Sequence, residues 1–442
     1  MTISEVRYVI DEADVEYQLG EQIAKGGQGV VHRVVGQPDL AIKLLFAPES
    51  LSRIAEVRRL PLDGLNVAGP TTLLRGDRPG YVMRLARDMT TLADAYLPGQ
   101  FGTGHDAAWY RDSGGLRRRL AVAARLADLI VALHDRALAY VDLNPNNVLV
   151  SEDQALSETW LIDTDNLTSA YGATTRVMGM RGYLAPERSR PESLGPPSTL
   201  ADAYSLAITA FKMLFLSHPL AGAASEDLAA DEAYDRVDAG DFDYIGPVDD
   251  SANSPATPLT STLLSLGMTT RLAQTAERTF VAGKLDPRHR PGAAAWRDAL
   301  HSAHDNTVAC PSGCAWTMYR TTATCPLCLA PVGRTLVVSV HVADQDPSPA
   351  SQCHVIALER GSQTDLNSRH IWGSSEGVAT VVTLYAHGES VEVRGEGDAE
   401  VTDTDGRPIT SLRLPSGDTP WFRVTVPGRP PRLIALRWTG PR

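Results

Sequence analysis

Between Tyr140 and Asp165 the chain sets oxygen-bearing side chains around two short apolar runs, a moderately specific arrangement. Asp142 and Asn147 sit on a loop just before the β-like run Val148-Leu149-Val150. Asp163 ends the next apolar run, Trp160-Leu161-Ile162. Phosphoryl transfer from a metal nucleotide needs such a set: one carboxylate to orient a hydroxyl, and an amide with a second carboxylate to hold a divalent cation. Asn and Asp are also ordinary turn and capping residues, so each alone carries little. The pattern gains force only with a phosphate cradle and a cation upstream.

Both are present. Ala24-Lys25-Gly26-Gly27-Gln28-Gly29-Val30-Val31 lies between two β-like runs. Glycines let backbone N–H groups approach phosphate oxygens where a Cβ would clash. Gly26, Gly27 and Gly29 are the expected cradle, and Val31 is expected to cover a base. Ala41-Ile42-Lys43 follows on the next strand, placing Lys43 to reach the α and β phosphates. Lys43 needs a carboxylate to hold it, and Glu56, on the following helix, is the candidate. Met83 is grouped with the nucleotide-binding residues.

A chain of 442 residues exceeds one core and implies two or three domains. Its formal charge of −12 is dispersed, which disfavours non-specific nucleic-acid binding. The start lacks a basic segment followed by an apolar stretch, so no secretory signal is expected. Leu206–Leu216 is the most apolar helix-like segment; it carries Lys212 and is too short to span a bilayer, so no membrane partner is expected. Five cysteines sit at 310, 314, 325, 328 and 353. That clustering argues for a metal site in a reducing cytoplasm rather than a disulfide framework.

β-like runs at Tyr17–Ile23, Val30–Val35, Leu40–Phe46, Thr71–Leu74 and Tyr81–Leu85 come first, the last two flanking the turn signal Asp77-Arg78-Pro79-Gly80. Pro48–Leu60 has helical composition. Leu116–Leu138 is a strong amphipathic helix, with further helices expected at Leu200–Leu216, Thr260–Thr270, Ala273–Val281 and Gly292–His304. The expected class is α+β: a β-rich lobe and a helical lobe over residues 15–304. A Cys- and Pro-containing segment follows at 306–333. Residues 334–442 alternate β-like runs with Gly- and Pro-rich turns and read as an all-β, sandwich-like domain.

The glycine loop, Ala-Ile-Lys and Asp-Leu-x-Pro-x-Asn together resemble the eukaryotic-type protein kinase family over about 15–304. Gly182-Tyr183-Leu184-Ala185-Pro186-Glu187 looks like its Ala-Pro-Glu segment. Ala201–Leu206 resembles the start of its buried central helix, and Asp286–Pro291 its late Arg motif. The resemblance implies ATP and Mg²⁺ as cofactors, Ser or Thr hydroxyls of a protein as acceptor, and a buried Glu187–Arg290 ion pair. Lys43 would align phosphates with Glu56 holding it, Asp142 would orient the hydroxyl as base, and Asn147 and Asp163 would hold metal.

Several positions depart from the family pattern. Val141 replaces the Arg that reads activation-loop phosphate, so control by that route is not expected. Asn144 replaces the Lys that contacts the transferred phosphate. Asp163-Thr164-Asp165 replaces Asp-Phe-Gly, and Asp165 adds a carboxylate near the metals. Two of these changes also resemble small-molecule phosphotransferases of the aminoglycoside- and choline-kinase type, and the missing Lys keeps a nucleotide-binding pseudokinase scaffold open. The nearest resemblance is to divergent bacterial protein kinases with a trailing Cys-rich module, which often work beside von Willebrand A-type and PP2C-type phosphatase proteins.

Cys310-Pro-Ser-Gly-Cys314 and Cys325-Pro-Leu-Cys328 form two close pairs on turns, and four thiolates suit tetrahedral Zn²⁺. A zinc ribbon with a structural Zn²⁺ fits best. Cys353 falls on an expected strand and reads as a small core residue. The β-rich tail carries no catalytic constellation and is expected to recruit a partner or substrate.

Overall fold

The computed structural model describes residues 8–47, 50–76, 78–97, 106–170, 179–189, 196, 198–247, 252–343, 347, 351–358, 361, 363–373, 379–414 and 419–439, and structural counts and absences concern these. Asp77, the stretch Gly99–Gly104 and residues 171–178 of the expected activation loop lie outside them. Contacts divide the chain into two compact units. One comprises Met1–Gly104, Val122–Leu264 and Ala273–Trp296, the other His105–Ala121, Ser265–Leu272 and Arg297–Arg442.

In the first unit, β1 (Tyr8–Ile10), β2 (Glu16–Lys25), β3 (Gly29–Val34), β4 (Gln37–Leu45), β5 (Pro70–Leu73) and β6 (Gly80–Arg84) build an antiparallel sheet in the order β1-β2-β3-β4-β6-β5. The first strand begins seven residues before the expected start at 15. Side chains alternate along β4. Ile42 therefore joins a core with Val9, Tyr17, Val34, Leu74 and Val82 on one face. Leu45 packs with Ile54 and Tyr81 on the other. Ile54 lies on α1 (Leu51–Arg58), which buries Ile54 and Val57 at helical spacing. Lys43 shares the face of Leu45.

Below this sheet in sequence come β7 (Met89–Thr91), α2 (Gly115–His134, in this unit from Val122 onward), β8 (Leu138–Ala139), β9 (Val148–Ser151), β10 (Thr159–Leu161) and β11 (Thr168–Ser169). The expected stripe of α2 (Leu116, Leu120, Ala123, Leu126, Ile130 and Leu133) is buried throughout. The helix stops at His134, so Leu138 starts a short strand pairing with β11. β9 pairs with β10 and β7, which gives the Asp142–Asn147 loop and Asp163 a common support.

α3 (Thr199–Phe215) is buried nearly all round, from Asp202 to Phe215. Ser198 caps it by accepting from the Ala201 N–H. Its aromatic residues Phe211 and Phe215 meet edge to face, with Phe280 and Tyr244 close by. Lys212, half-buried on this helix, holds its ammonium 4.4 Å from the centroid of the Tyr183 ring. Burial pulls its pKa down to about 8, and the Asp238 charge only partly opposes this. A lysine depressed in the folded state costs stability below that pH and stops doing so as pH rises past the unfolded value. Lys212→Met should therefore raise unfolding free energy at pH 7 by roughly 1–2 kcal/mol, discounted for residual hydration. The gain should shrink by pH 10; urea unfolding at both values checks this, and a variant less stable than the parent at pH 7 would refute it.

α4 (Ala230–Asp238) ends on Asp238, whose carboxylate accepts twice from the Gly182 N–H and is pushed up to about 6 by burial. Glu187 and Arg290 form the expected ion pair, bidentate at 2.8 and 3.0 Å, with the Arg290 side chain 0% exposed. Arg290 also donates to the carbonyls of Gly283 and Leu200.

The second unit holds α5 (Ala293–Asp305) from Arg297 onward. Next come β12 (Thr307–Ala309), β13 (Thr317–Tyr319), β14 (Thr335–Val342), β15 (Gln352–Leu358), β16 (Gln363–Asn367), α6 (Ser368–Trp372) and β17 (Thr380–His387). The chain closes with β18 (Ser390–Gly395), β19 (Glu400–Thr402), β20 (Ser411–Arg413), β21 (Trp421–Thr425) and β22 (Arg432–Thr439). Two sheets, β15-β14-β22-β21-β19 and β16-β17-β18-β20, share one core. Period two supplies it: Leu336, Val338 and Val340; Val382, Leu384 and Ala386; Ile434 and Leu436. Cys353 lies on β15 but is exposed, because the alternation that turns Ile356 and Leu358 inward does not bury it. The cysteine segment and the β region fall in the same unit.

At the end of α5, buried Asp305 receives Arg369 at 2.7 and 3.1 Å and His354 at 2.8 Å. His354, His370 and Asp305 have the composition of a metal site, but Arg369 already occupies both carboxylate oxygens. The cluster is an ion-paired anchor joining α5 to β15 and α6.

Candidate active site

Neighbouring strands in register present opposing side chains on the same face. Val31 and Tyr81 both oppose Lys43, and Met83 opposes Ala41. Val31, Ala41, Lys43, Tyr81 and Met83 therefore share one face of the sheet. Val31 and Met83 are half-buried there. The turn between β2 and β3 is closed by a bond from the Gly26 N–H to the Gly29 carbonyl. A Cβ at Gly29 would come within 2.2 Å of the Leu44 carbonyl oxygen, whereas at Gly26 and Gly27 it would meet nothing within 4 Å. Packing thus requires glycine at 29 and not at 26 or 27.

Lys43 is buried, with its Nζ 2.7 Å from Asp163 Oδ1, 2.5 Å from Asp165 Oδ2 and 3.4 Å from Gln28 Oε1. Burial alone would lower its pKa, but the two carboxylates outweigh it and keep the amine charged. Glu56, expected to hold this lysine, does not reach it. Its side chain is 63% exposed and pairs with Arg53 Nη1 at 2.9 Å, one turn back on the same helix. Local i,i+3 pairing and the prior occupation of Lys43 by two aspartates account for the difference. Arg53 instead donates to the carbonyls of Asp165, Asn166 and Leu167, tying α1 to the segment behind Asp163.

Asp163 adopts φ 53°, ψ 58°, a left-handed conformation that Asp tolerates better than most residues, and its side chain is 36% exposed. Asp165, expected beside the metals, is 9% exposed; Tyr81 donates to its Oδ1 at 2.9 Å and Lys43 to its Oδ2.

Asp142 is placed from beneath. The buried carboxylate of Asp202, near the start of α3, accepts from the N–H groups of Tyr140 at 2.7 Å and Val141 at 2.9 Å, and bonds His134 Nε2 at 3.2 Å. Val141 has φ 76°, unusual for a β-branched residue, and this double bond holds the strain. Asn144 Nδ2 donates to Asp142 Oδ1 at 2.9 Å, and Asn147 Nδ2 donates to the Asp142 carbonyl at 3.0 Å. Burial, reinforced by the Asp163 charge, raises the Asp142 carboxyl above its ordinary range despite bonds from Asn144 and Asn147.

No role at the site was expected for Asp202, Tyr81, Gln28 or Arg53. Asp202 stood inside an apolar helical run, and Tyr81 shared the period of Met83; both signals were visible but had equally ordinary structural explanations.

The four cysteines converge: their sulfurs lie within 4.8 Å of one another, with Cys310 and Cys328 3.5 Å apart and Cys314 and Cys325 3.6 Å apart. Tetrahedral zinc with Zn–S of about 2.3 Å sets sulfurs roughly 3.8 Å apart, so the donor set fits. The turns that achieve this use left-handed residues, Gly313 at φ 76° and Leu329 at φ 62°. Burial raises the Cys310 thiol, but hydrogen bonds with Ser312, Cys314 and Cys328 together outweigh it and bring it down to about 6.

No described helix is long and apolar enough to cross a membrane. Residues 116–280 match the protein kinase domain family, a span that contains Asp142, Asn147, Asp163, Glu187 and Asp202 but begins after the strand bearing Lys43. The chain is 26% identical over 220 residues to CBL-interacting protein kinase 4 of Oryza sativa subsp. japonica, a stretch covering 45% of this chain. The chain thus spans less than half of that relative's length, 44% of it, and the family match is confined to residues 116–280.

Proposed function

We propose that the chain transfers the γ-phosphoryl group of ATP, with Mg²⁺, to hydroxyl groups of a protein substrate, serine and threonine among them. The observation that carries this reading is the meeting of Lys43 with Asp163 at 2.7 Å, across 120 residues of sequence, on the face shared with the glycine turn. Gly26 and Gly27 support it, since nothing in the packing calls for glycine there and close backbone approach to phosphate does. Lys43 aligns the α and β phosphates. Asp142, with its raised affinity for protons, orients the attacking hydroxyl and accepts its proton. Asn147 spends its amide nitrogen on the Asp142 carbonyl, which leaves its oxygen, with the exposed side of Asp163, as hard ligands for the metal. When bound, Mg²⁺ neutralises charge on the β and γ phosphates.

One observation favours a nucleotide-binding scaffold instead. Asn144 is buried against Asp142, where a cation would assist the transferred phosphate. Incubation with γ-labelled ATP separates the readings, with Asp142→Asn as control. Label on protein supports the kinase, label on a small acceptor a small-molecule phosphotransferase, and none anywhere the scaffold.

The cysteine cluster is read as a structural zinc site and the β-sandwich as a recruitment module. Freshly purified protein should carry about one zinc ion per chain. Elemental analysis showing none would remove the zinc from this scheme.

A further inference from the structure

We infer that Asp165, fixed by Tyr81, is the carboxylate that anchors Lys43, and that it is a positioning residue rather than a magnesium ligand. This rests on the kinase reading above. A buried ammonium needs a partner that stays when ligands come and go. Glu56 cannot serve, being turned outward onto Arg53. Of the two aspartates on Lys43, only Asp163 keeps an open side: it is 36% exposed and gives Lys43 one oxygen. Asp165 is 9% exposed and has both oxygens engaged, one by Lys43 and one by the Tyr81 hydroxyl.

Tyr81 and Lys43 are direct cross-strand neighbours, so the hydroxyl and the ammonium approach Asp165 from one rigid sheet. Asp165 itself sits in the one-turn helix Thr164–Asn166, and Arg53 holds that turn by its carbonyls. The connection from α1 to the phosphate-aligning lysine therefore runs through Arg53 and Asp165, not through Glu56. When Asp163 turns to a metal, Asp165 continues to aim Lys43.

The test uses the full chain and the variants Asp163→Asn, Asp165→Asn, Tyr81→Phe and Glu56→Gln. The first readout is Mn²⁺ affinity in the presence of ADP, followed by electron paramagnetic resonance of free Mn²⁺, which needs no turnover. Asp163→Asn should weaken it by about tenfold or more, and Asp165→Asn by less than about threefold. The second readout is transfer from γ-labelled ATP. Asp165→Asn should lower kcat by about tenfold or more with KM for MgATP within about threefold, and Tyr81→Phe, which removes only a hydroxyl, should shift kcat the same way by a smaller factor. Glu56→Gln, outside the site, should stay within about twofold of the parent in both. Loss of Mn²⁺ affinity in Asp165→Asn equal to that in Asp163→Asn would overturn the assignment, as would a kcat loss confined to Glu56→Gln. A parent chain that binds no nucleotide would instead defeat the kinase reading, and this inference with it.

Discussion

An Asp142→Asn chain should transfer phosphate roughly 10²- to 10⁴-fold more slowly than the parent, because it loses the group proposed to take the hydroxyl proton. The substitution is close to isosteric. The oxygen that accepts from Asn144 is retained, and the loop is gripped at the Tyr140 and Val141 N–H groups by Asp202, which the change does not touch. Burial of Asp142 means that the neutral amide is no harder to accommodate than the carboxylate. The thermal midpoint should therefore stay near that of the parent while the initial rate from γ-labelled ATP collapses. A folded variant that retains a third of the parental rate would dismiss Asp142 as the base.

Glu187→Ala should destabilise the first unit by roughly 3–5 kcal/mol, since removing one member of a buried ion pair leaves the other charged and uncompensated. Arg290 is wholly enclosed, and the carbonyls of Gly283 and Leu200 that it also meets are dipoles, not charges. Its guanidinium stacks 4.6 Å from the Tyr204 ring centroid, which offsets a small part of the cost. Replacing both members, Glu187→Leu with Arg290→Met, should recover much of the loss, because apolar residues of similar volume carry no desolvation penalty. Urea unfolding of the two variants measures both values. A single substitution costing under about 1 kcal/mol would show that solvent reaches the arginine after all.

The architecture of the first unit was legible because its strands and helices obey simple periods. The stripe on α2 names one buried face, the apolar run of β4 feeds a core on each side of the sheet, and the Glu187–Arg290 pair followed from motifs far apart in sequence. Glu56 was not legible as it stands. Composition marks a glutamate on the right helix, but the choice between Lys43 and Arg53 depends on which way the helix turns and on competition from Asp163 and Asp165. The partner of Asp165 was hidden for a related reason: a carboxylate two residues from a metal-type aspartate reads as another ligand, and the Tyr81 hydroxyl that bonds it lies 84 residues away in sequence. Cys353 shows the limit of period two, which says that a strand has two faces but not which one a cysteine takes.

Asp202 grips positions 140 and 141 by their amide hydrogens, which every residue except proline supplies. The place of Asp142 is thereby set through the backbone of the two residues before it, while Tyr140 is held besides by its buried ring and by its hydroxyl, which donates to the Ile162 carbonyl. Valine can stand at 141 in place of the family's arginine because the N–H that Asp202 holds does not depend on that side chain.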